Sequence, residues 1–255
     1  MMFKNKSTYY DLYRPNYPYS LVTFLKGQNL LKNNDLVAEF GSGTGKLTGL
    51  LLENGNCVYG VEQDEEMQVF LQKKFHANPN FILVKKSAEN TGLSKNKFDL
   101  IIAAQSFHLF NPTKAKEEFY RILKPNGKMA FVWYHWNIKQ EVTQKIQNLF
   151  STFRDKQQQQ ERTQIGLVSF NRLFYPNVIQ HNIIDTITQK LSKAEFVNSM
   201  LSSSYATTQN DKLHNEYMEE VESIFNHYEK SGYIEYSFNL EIYFLNVKQN
   251  AKVIT

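Results

Sequence analysis

Residues 36 to 48 read LVAEFGSGTGKLT, and this stretch decides the fold. The apolar run Leu36–Phe40 is short and leads into glycines, which predicts a buried parallel strand. From Lys46 onward the leucines have helical spacing. Glycines between a strand and a helix allow positive φ angles and let a ligand approach bare backbone. The sequence therefore predicts a ligand-binding turn here.

Two common types of glycine turn do not match these residues. A phosphate loop needs G-x-x-x-x-G-K-[ST], but Phe40 and Leu47 occupy the first glycine and the hydroxyl positions. A dinucleotide turn, G-x-G-x-x-G, needs its third glycine at position 46, which is Lys46. The remaining pattern is acid-x-G-x-G-x-G, from Glu39 through Gly45.

That pattern resembles motif I of the class I S-adenosylmethionine-dependent methyltransferases. The expected cofactor is S-adenosyl-L-methionine, with S-adenosyl-L-homocysteine as the product. A carboxylate of the ligand would meet the helix N-terminus, and Glu39 at the strand end suits the ligand's ammonium. Gly41, Ser42, Gly43 and Gly45 are the expected backbone contacts.

Strands and helices alternate on either side of this turn, which predicts an α/β fold with a parallel sheet covered on both faces. Further strands are predicted at 57–62, 81–84, 98–104 and 128–133, with helices at 65–75 and 114–123. The turn Pro125-Asn126-Gly127 is expected to precede strand five. Beyond Tyr134 we expect helices at 138–164, 192–200 and 216–230, and strands at 182–188 and 236–247.

The fold class is thus a Rossmann-like, doubly wound sheet, mostly parallel with an antiparallel closing strand, plus a mainly helical substrate cap. At 255 residues a single methyltransferase domain is expected. Its predicted parts are an N-terminal lid and first helix at 1–30, a cofactor-binding core at 31–135, a cap at about 136–180 and completion of the sheet at 181–255.

Other cofactor residues are expected at the carboxyl ends of the strands. Glu62 ends strand two, where an acid can accept both ribose hydroxyl protons. The segment after strand three matches the family's adenine-reading loop, and Glu89 or a backbone carbonyl there would receive the adenine amino group. The predicted cofactor set is completed by Gln63, Met67, Ser87, Ala88 and Gln105.

Three further segments resemble a small-molecule subgroup, the type 11 methyltransferases related to the trans-aconitate and ubiquinone-pathway enzymes. The leader at 10–18 is similar to Y-x-x-x-R-P-x-Y-P. Arg121-Ile122-Leu123-Lys124-Pro125 is similar to R-x-L-K-P-G-G, although Asn126 replaces one glycine. Residues 201–205 read LSSSY, as in the subgroup. The resemblance implies methyl transfer to a small-molecule oxygen, nitrogen or carboxylate.

Methyl transfer mainly requires alignment of the nucleophile and exclusion of water. A base helps when the acceptor must lose a proton, and His108 after strand four is the candidate, with pocket lining as the alternative. Tyr10 and Arg14 are candidates for a lid that contacts the substrate, and Arg14 could pair with a carboxylate. Tyr134 and Trp136 are the candidate aromatic wall for the acceptor, whereas Trp133 fits the core better.

Composition limits the other classes of function. The net charge of +4 is spread without a basic block, the tetrads N-P-P-Y and D-P-P-Y are absent, and neither nucleic acid nor membrane is an expected partner. No apolar run reaches the ~18 residues of a membrane span, and no metal site is expected. With Cys57 as its only cysteine, the chain fits a reducing cytoplasm. Two alternatives stay open, a non-catalytic S-adenosylmethionine-binding regulator and, less favoured, a nicotinamide oxidoreductase.

Overall fold

The computed structural model describes residues 11–156, 167–203 and 206–247. Its seven strands in those ranges are β1 (Leu36–Phe40), β2 (Cys57–Val61), β3 (Phe81–Val84), β4 (Phe98–Ala104), β5 (Leu123–Trp136), β6 (Gln180–Ser192) and β7 (Tyr233–Asn246). The α-helices there are α1 (Tyr19–Gly27), α2 (Lys46–Glu53), α3 (Glu65–Phe75), α4 (Pro112–Ile122), α5 (Glu141–Lys156), α6 (Leu167–Phe174), α7 (Lys193–Leu201) and α8 (His214–Tyr228). A 3₁₀ helix spans Phe107–Leu109.

The strands form one sheet in the order β3-β2-β1-β4-β5-β7-β6. β1 pairs in parallel with both β2 and β4, so the chain reverses its winding direction at this central strand. β7 runs antiparallel to β5, because Val247 donates to Gly127 near one end while Asn137 donates to Ser237 near the other. The predicted fold class, mostly parallel with an antiparallel closing strand, is confirmed.

Local sequence signals explain where several elements begin and end. The strands β1, β3 and β4 have the predicted bounds, as does helix α3, whose N-cap Asp64 accepts from the backbone N–H groups of Glu66 and Met67. Asn111 caps α4 in the same way, and Pro112 occupies the first turn, where its missing N–H costs nothing. The predicted capping box of α7 is present, with Ser192 donating to Glu195.

Strand five begins earlier than predicted. The residues Pro125-Asn126-Gly127, expected as a turn before the strand, lie inside β5 as an irregularity, since Phe98 pairs with Leu123 but Leu100 pairs with Lys128. Asn126 has a φ of 61°, the conformation expected of a turn residue. Asn126 therefore has the conformation of a turn residue, as predicted, but β5 pairs with β4 both before and after it.

The described residues divide into two compact units. The larger contains residues 16–133, 167–184 and 241–247, and the smaller contains 11–15, 134–156, 185–203 and 206–240. The core of the larger unit includes a group of fully buried phenylalanines on and beside the sheet, namely Phe40, Phe98, Phe107, Phe119, Phe131 and Phe170. The core of the smaller unit packs residues of α5, α7, α8 and β7, among them Ile146, Phe196, Val221 and Tyr236. The predicted division of the chain into lid, core and cap stays a prediction.

In the described ranges no helix is both long and apolar enough to cross a bilayer. The same residues hold no group of three or more His, Cys, Asp or Glu side chains placed to bind a metal ion.

Candidate active site

The glycine turn joins β1 to α2 within the larger unit. The Gly41 N–H donates to the Val61 carbonyl at 2.8 Å, which ties the end of β1 to the end of β2. Gly45 has a φ of 78° and forms the N-cap of α2 without a side chain over the helix end. The N-terminus of α2 thus follows directly from the carboxyl end of a central parallel strand, as a ligand with an anionic group requires.

The three glycines of the turn have different surroundings. A Cβ at Gly41 would come within 2.4 Å of the Ser106 Cβ, and one at Gly45 within 2.4 Å of the Phe75 ring. Around Gly43, whose φ is 57°, a Cβ would meet nothing within 4 Å. Protein packing therefore accounts for Gly41 and Gly45, while Gly43 presents bare backbone to open space.

Glu62 lies directly beyond β2 and is bonded to the turn. Its Oε2 accepts from the Gly43 N–H at 2.8 Å, and its Oε1 accepts from the Asp64 N–H at 2.9 Å. Burial raises the pKa of Glu62, which is 8% exposed, while these backbone hydrogen bonds oppose the rise. Because each carboxylate oxygen can accept a second hydrogen bond, the geometry is compatible with binding to a ribose diol.

Glu39 is more deeply enclosed than the sequence suggested, at 2% exposed. Its carboxyl Oε2 accepts from the Thr48 hydroxyl on α2 through a short hydrogen bond. Burial raises the pKa of Glu39 to about 8, the Thr48 bond opposes the rise, and the nearby Glu62 carboxylate adds to it. Glu39 is therefore largely protonated at neutral pH, and a ligand ammonium placed against it would favour its ionised form.

The other predicted residues around β2 and α3 differ in exposure. Gln63 is exposed, as a ligand-facing side chain can be. Met67, by contrast, is 3% exposed in α3, and its side chain contributes to the core. Ser42 donates to the Glu39 carbonyl at 3.2 Å, so its hydroxyl stabilises the turn itself.

The loop after β3 is attached to helix α4 at two points. Glu89 Oε1 accepts from the Asn111 N–H at 2.8 Å, just before α4 begins. Glu118 on α4 accepts from the Thr91 N–H at 2.9 Å and also from the Thr91 hydroxyl. Ala88 is buried, whereas Ser87 and Glu89 are half-buried. The predicted adenine-reading loop thus has a fixed position relative to α4.

The segment after β4 contains Gln105 and His108. Gln105 has a φ of 57° and donates its backbone N–H to the Val132 carbonyl at 2.9 Å. The Ser106 hydroxyl donates to the Phe40 carbonyl at 2.6 Å, which attaches this segment to the end of β1 beside Gly41. His108 follows in the 3₁₀ helix, and its Nδ1 accepts from the Trp133 indole N–H at 3.4 Å.

The three described candidates for acceptor binding belong to the smaller unit. Arg14 donates to the Ser202 carbonyl at 3.4 Å. Trp136 packs on Phe238, with ring centroids 4.4 Å apart, and Tyr134 contacts the same ring at 5.9 Å. These contacts give both aromatic residues a packing role, and their contact with an acceptor stays a prediction.

Tyr10, the fourth candidate, lies outside the described residues, as do Ser204 and Tyr205 of the LSSSY segment.

Sequence reasoning did not identify four residues that hold the site together, namely Thr48, Thr91, Ser106 and Glu118. One of them had a visible signal, because Glu118 stands three residues before Arg121, the spacing of a helical ion pair. The pairs Thr48 with Glu39 and Ser106 with Phe40 are separated by 9 and 66 residues. Only the folded chain brings these partners together.

Comparison with known proteins agrees with this geometry. Residues 38–131 match the family model described as a methyltransferase domain. A methyltransferase-like protein of Schizosaccharomyces pombe is 35% identical over 132 residues, which cover 51% of this chain and 50% of that protein. The chain therefore spans about half the length of the curated relatives it matches.

Solved structures share the fold over most of the chain. A candidate type II methyltransferase from Anaeromyxobacter dehalogenans superposes with a TM-score of 0.65 at 19% identity, covering 92% of this chain and 97% of the other. Geranyl diphosphate methyltransferase in complex with S-adenosylmethionine gives a TM-score of 0.51 at 14% identity, with coverages of 89% and 84%.

The sheet order, the central glycine turn and these superpositions define a class I methyltransferase fold. Within this chain, residues 38–131 are similar to the family model described as a methyltransferase domain.

Proposed function

We propose that this protein transfers a methyl group from S-adenosylmethionine to a small-molecule acceptor. The observation that carries the proposal is the convergence of Gly43 and Glu62. Bare backbone at Gly43 faces open space, and its N–H is bonded to the Glu62 carboxylate at 2.8 Å. A nucleoside bound by its ribose at Glu62 would therefore extend its sulfonium arm along the glycine turn.

Each predicted cofactor residue has a role in this proposal. Glu62 accepts hydrogen bonds from the ribose hydroxyls, and Glu39, near the carboxyl end of β1, stabilises the ammonium group of the ligand. The backbone of Gly41, Ser42, Gly43 and Gly45 approaches the amino-acid arm. The loop of Ser87, Ala88 and Glu89 reads the adenine.

The remaining side chains in the proposed site are Gln63, Met67, Gln105 and His108. Gln63 and Gln105 lie beside the cofactor, and Met67 supports the ribose side from the core. His108 contacts the acceptor.

The proposal that the acceptor is a small molecule rests on the amino-acid sequence. The chain lacks the tetrads of amino-methylating nucleic-acid enzymes, and its charges form no basic block. Arg14 would supply an anchor for an acidic acceptor, and Tyr134 and Trp136 would supply aromatic contacts. Tyr10 would belong to the same lid. The cytoplasm is the proposed location of the protein.

Ligand binding and turnover test the proposal separately. S-adenosylhomocysteine at one hundred times its dissociation constant should stabilise folding by about 2.7 kcal/mol, which a thermal shift detects. NADH should give no shift, and the reverse result would indicate a nicotinamide oxidoreductase.

A turnover assay then distinguishes an enzyme from a cofactor-binding regulator. Labelled S-adenosylmethionine is incubated with a panel of carboxylic acids, phenols and amines, and methylated product is measured. Binding without product from any acceptor would favour the regulator.

A further inference from the structure

Trp133 is buried by packing contacts, and it also makes one polar contact, to His108. The side chain is 7% exposed and lies against Phe170 and Tyr243, with ring centroids 5.6 and 5.8 Å away. These contacts fix the indole plane. Its Nε1–H points at His108 Nδ1, 3.4 Å away.

An indole nitrogen can only donate a hydrogen bond. His108 Nδ1 must therefore be the acceptor, and a neutral imidazole with a bare Nδ1 carries its proton on Nε2. The structure thus selects one of the two neutral tautomers of His108.

This tautomer is the wrong one for a base. To take a proton at Nε2, the neutral ring would need its own proton on Nδ1, which would point at the indole N–H. Two donors would then face each other, and a buried N–H would lose its acceptor. The loss of that hydrogen bond corresponds to a roughly five- to hundredfold preference for the tautomer with its proton on Nε2. The lone pair on Nδ1 is already used by Trp133.

We propose that Trp133 is a positioning residue that holds His108 with its proton on Nε2, so that His108 acts on the methyl acceptor as a hydrogen-bond donor and not as a base. This inference rests on the proposed methyl transfer. It replaces the base role expected from the sequence. The donated hydrogen bond orients the acceptor for in-line attack, and the imidazole takes no proton during the transfer.

Titratable groups also surround the indole from β6 and β7. Tyr243 packs edge-on against Trp133, and its hydroxyl lies 3.4 Å from Glu241 Oε2. His181 stacks on Tyr243 at 4.4 Å and contacts Glu241 at 2.9 Å through Nε2. A change of Tyr243 to Phe removes the hydroxyl and keeps the ring against Trp133, so it serves as a matched control.

Nuclear magnetic resonance of the full chain tests the tautomer directly. The protein is labelled with ¹⁵N in its six histidines, and His108 is assigned by comparison with His108→Gln. We expect a protonated Nε2 and a bare Nδ1 in the wild type and in Tyr243→Phe. In Trp133→Phe, which lacks the N–H, the ring nitrogens should shift toward a mixture of tautomers. A protonated Nδ1 in the wild type, or an unchanged spectrum in Trp133→Phe, would overturn the proposal.

Turnover separates the donor from the base. With the acceptor that is methylated fastest in the panel above, His108→Gln keeps a donor N–H but cannot accept a proton. The donor role predicts a loss of at most about tenfold, and a larger loss in His108→Ala. A 10²- to 10⁴-fold loss in His108→Gln would instead identify a base. Absence of turnover with every acceptor would contradict the proposed function, while the spectrum would still decide the tautomer.

Discussion

Glu39 and Glu62 lie near the glycine turn at the carboxyl ends of two neighbouring strands, β1 and β2, but their carboxyl groups are held differently. Glu62 accepts two backbone N–H groups at 2.8 and 2.9 Å, whereas Glu39 has a hydroxyl donor, Thr48. Desolvation raises the pKa of both carboxyl groups, and it raises that of Glu39 to about 8. The two acids therefore suit different proposed tasks, Glu62 as an acceptor for the neutral ribose hydroxyls and Glu39 as a partner for the ligand's ammonium.

The raised pKa of Glu39 predicts a pH dependence of stability. Between the ordinary value of 4.5 and about 8, the folded protein keeps a proton that the unfolded chain has released. The free energy of unfolding attributable to Glu39 is therefore complete below the lower value and falls as pH rises toward the upper one, by up to about 1.4 kcal/mol per pH unit. Glu39→Gln removes this proton but retains an oxygen for Thr48.

Urea unfolding of both proteins between about pH 5 and pH 8 measures the effect. The stability of Glu39→Gln relative to the wild type should increase steadily across this range. A difference that stays constant with pH would show that Glu39 is not protonated in the folded protein.

A second change at the residue scale concerns Glu62. Glu62→Gln keeps the size of the side chain but removes the charge-assisted hydrogen bonds to the ribose, worth roughly 1.5–3 kcal/mol. The dissociation constant for S-adenosylhomocysteine should therefore rise by at least about tenfold in calorimetry. An unchanged constant would remove Glu62 from the ribose site.

At the scale of elements, helix α4 holds the loop that follows β3. Glu118 is 6% exposed and accepts from Thr91, while Arg121 donates to both its oxygens at 2.6 and 2.7 Å. Burial alone would raise the pKa of Glu118, but the bonds from Arg121 and Thr91 more than offset it and lower that pKa below its ordinary value. The arginine of the R-x-L-K-P segment thus fixes the proposed adenine loop through a single carboxylate.

Glu118→Gln should therefore destabilise the protein by about 1–3 kcal/mol, because a buried network loses its charge. Glu222→Gln on α8 is the control, since its ion pair with Lys193 is about half exposed and should contribute less than about 1 kcal/mol. Urea midpoints compare the two variants. Equal losses would contradict the structural role assigned to Glu118.

Strand bounds were predictable where apolar runs end at strong turn signals, as for β1, β3 and β4. Strand five was not, because Pro125 and Gly127 usually end a strand and here fall within an irregular pairing to β4. The glycine turn and Glu62 could be predicted from local pattern. The bond from Trp133 to His108 could not, since it joins residues 25 positions apart on different elements.

At the scale of the whole molecule, the sequence match to the methyltransferase family model covers only part of the chain. The family model covers residues 38–131, all within the larger compact unit. The described candidates for acceptor binding, Arg14, Tyr134 and Trp136, fall in the smaller unit, outside that match. We therefore expect cofactor use to follow the family and the choice of acceptor to be particular to this chain.

The central claim is that the turn at Gly43 binds the cofactor, and calorimetry with S-adenosylhomocysteine on a pair of glycine variants tests it most directly. Gly43 and Gly92 have φ angles of 57° and 67°, and a Cβ at either would meet nothing within 4 Å. Both changes to alanine therefore impose a similar backbone strain, but only Gly43→Ala places a methyl group where the ligand would lie. The account predicts that Gly92→Ala binds S-adenosylhomocysteine like the wild type and that Gly43→Ala weakens binding by at least about tenfold. Equal affinities of the two variants, or no binding to the wild type, would contradict it.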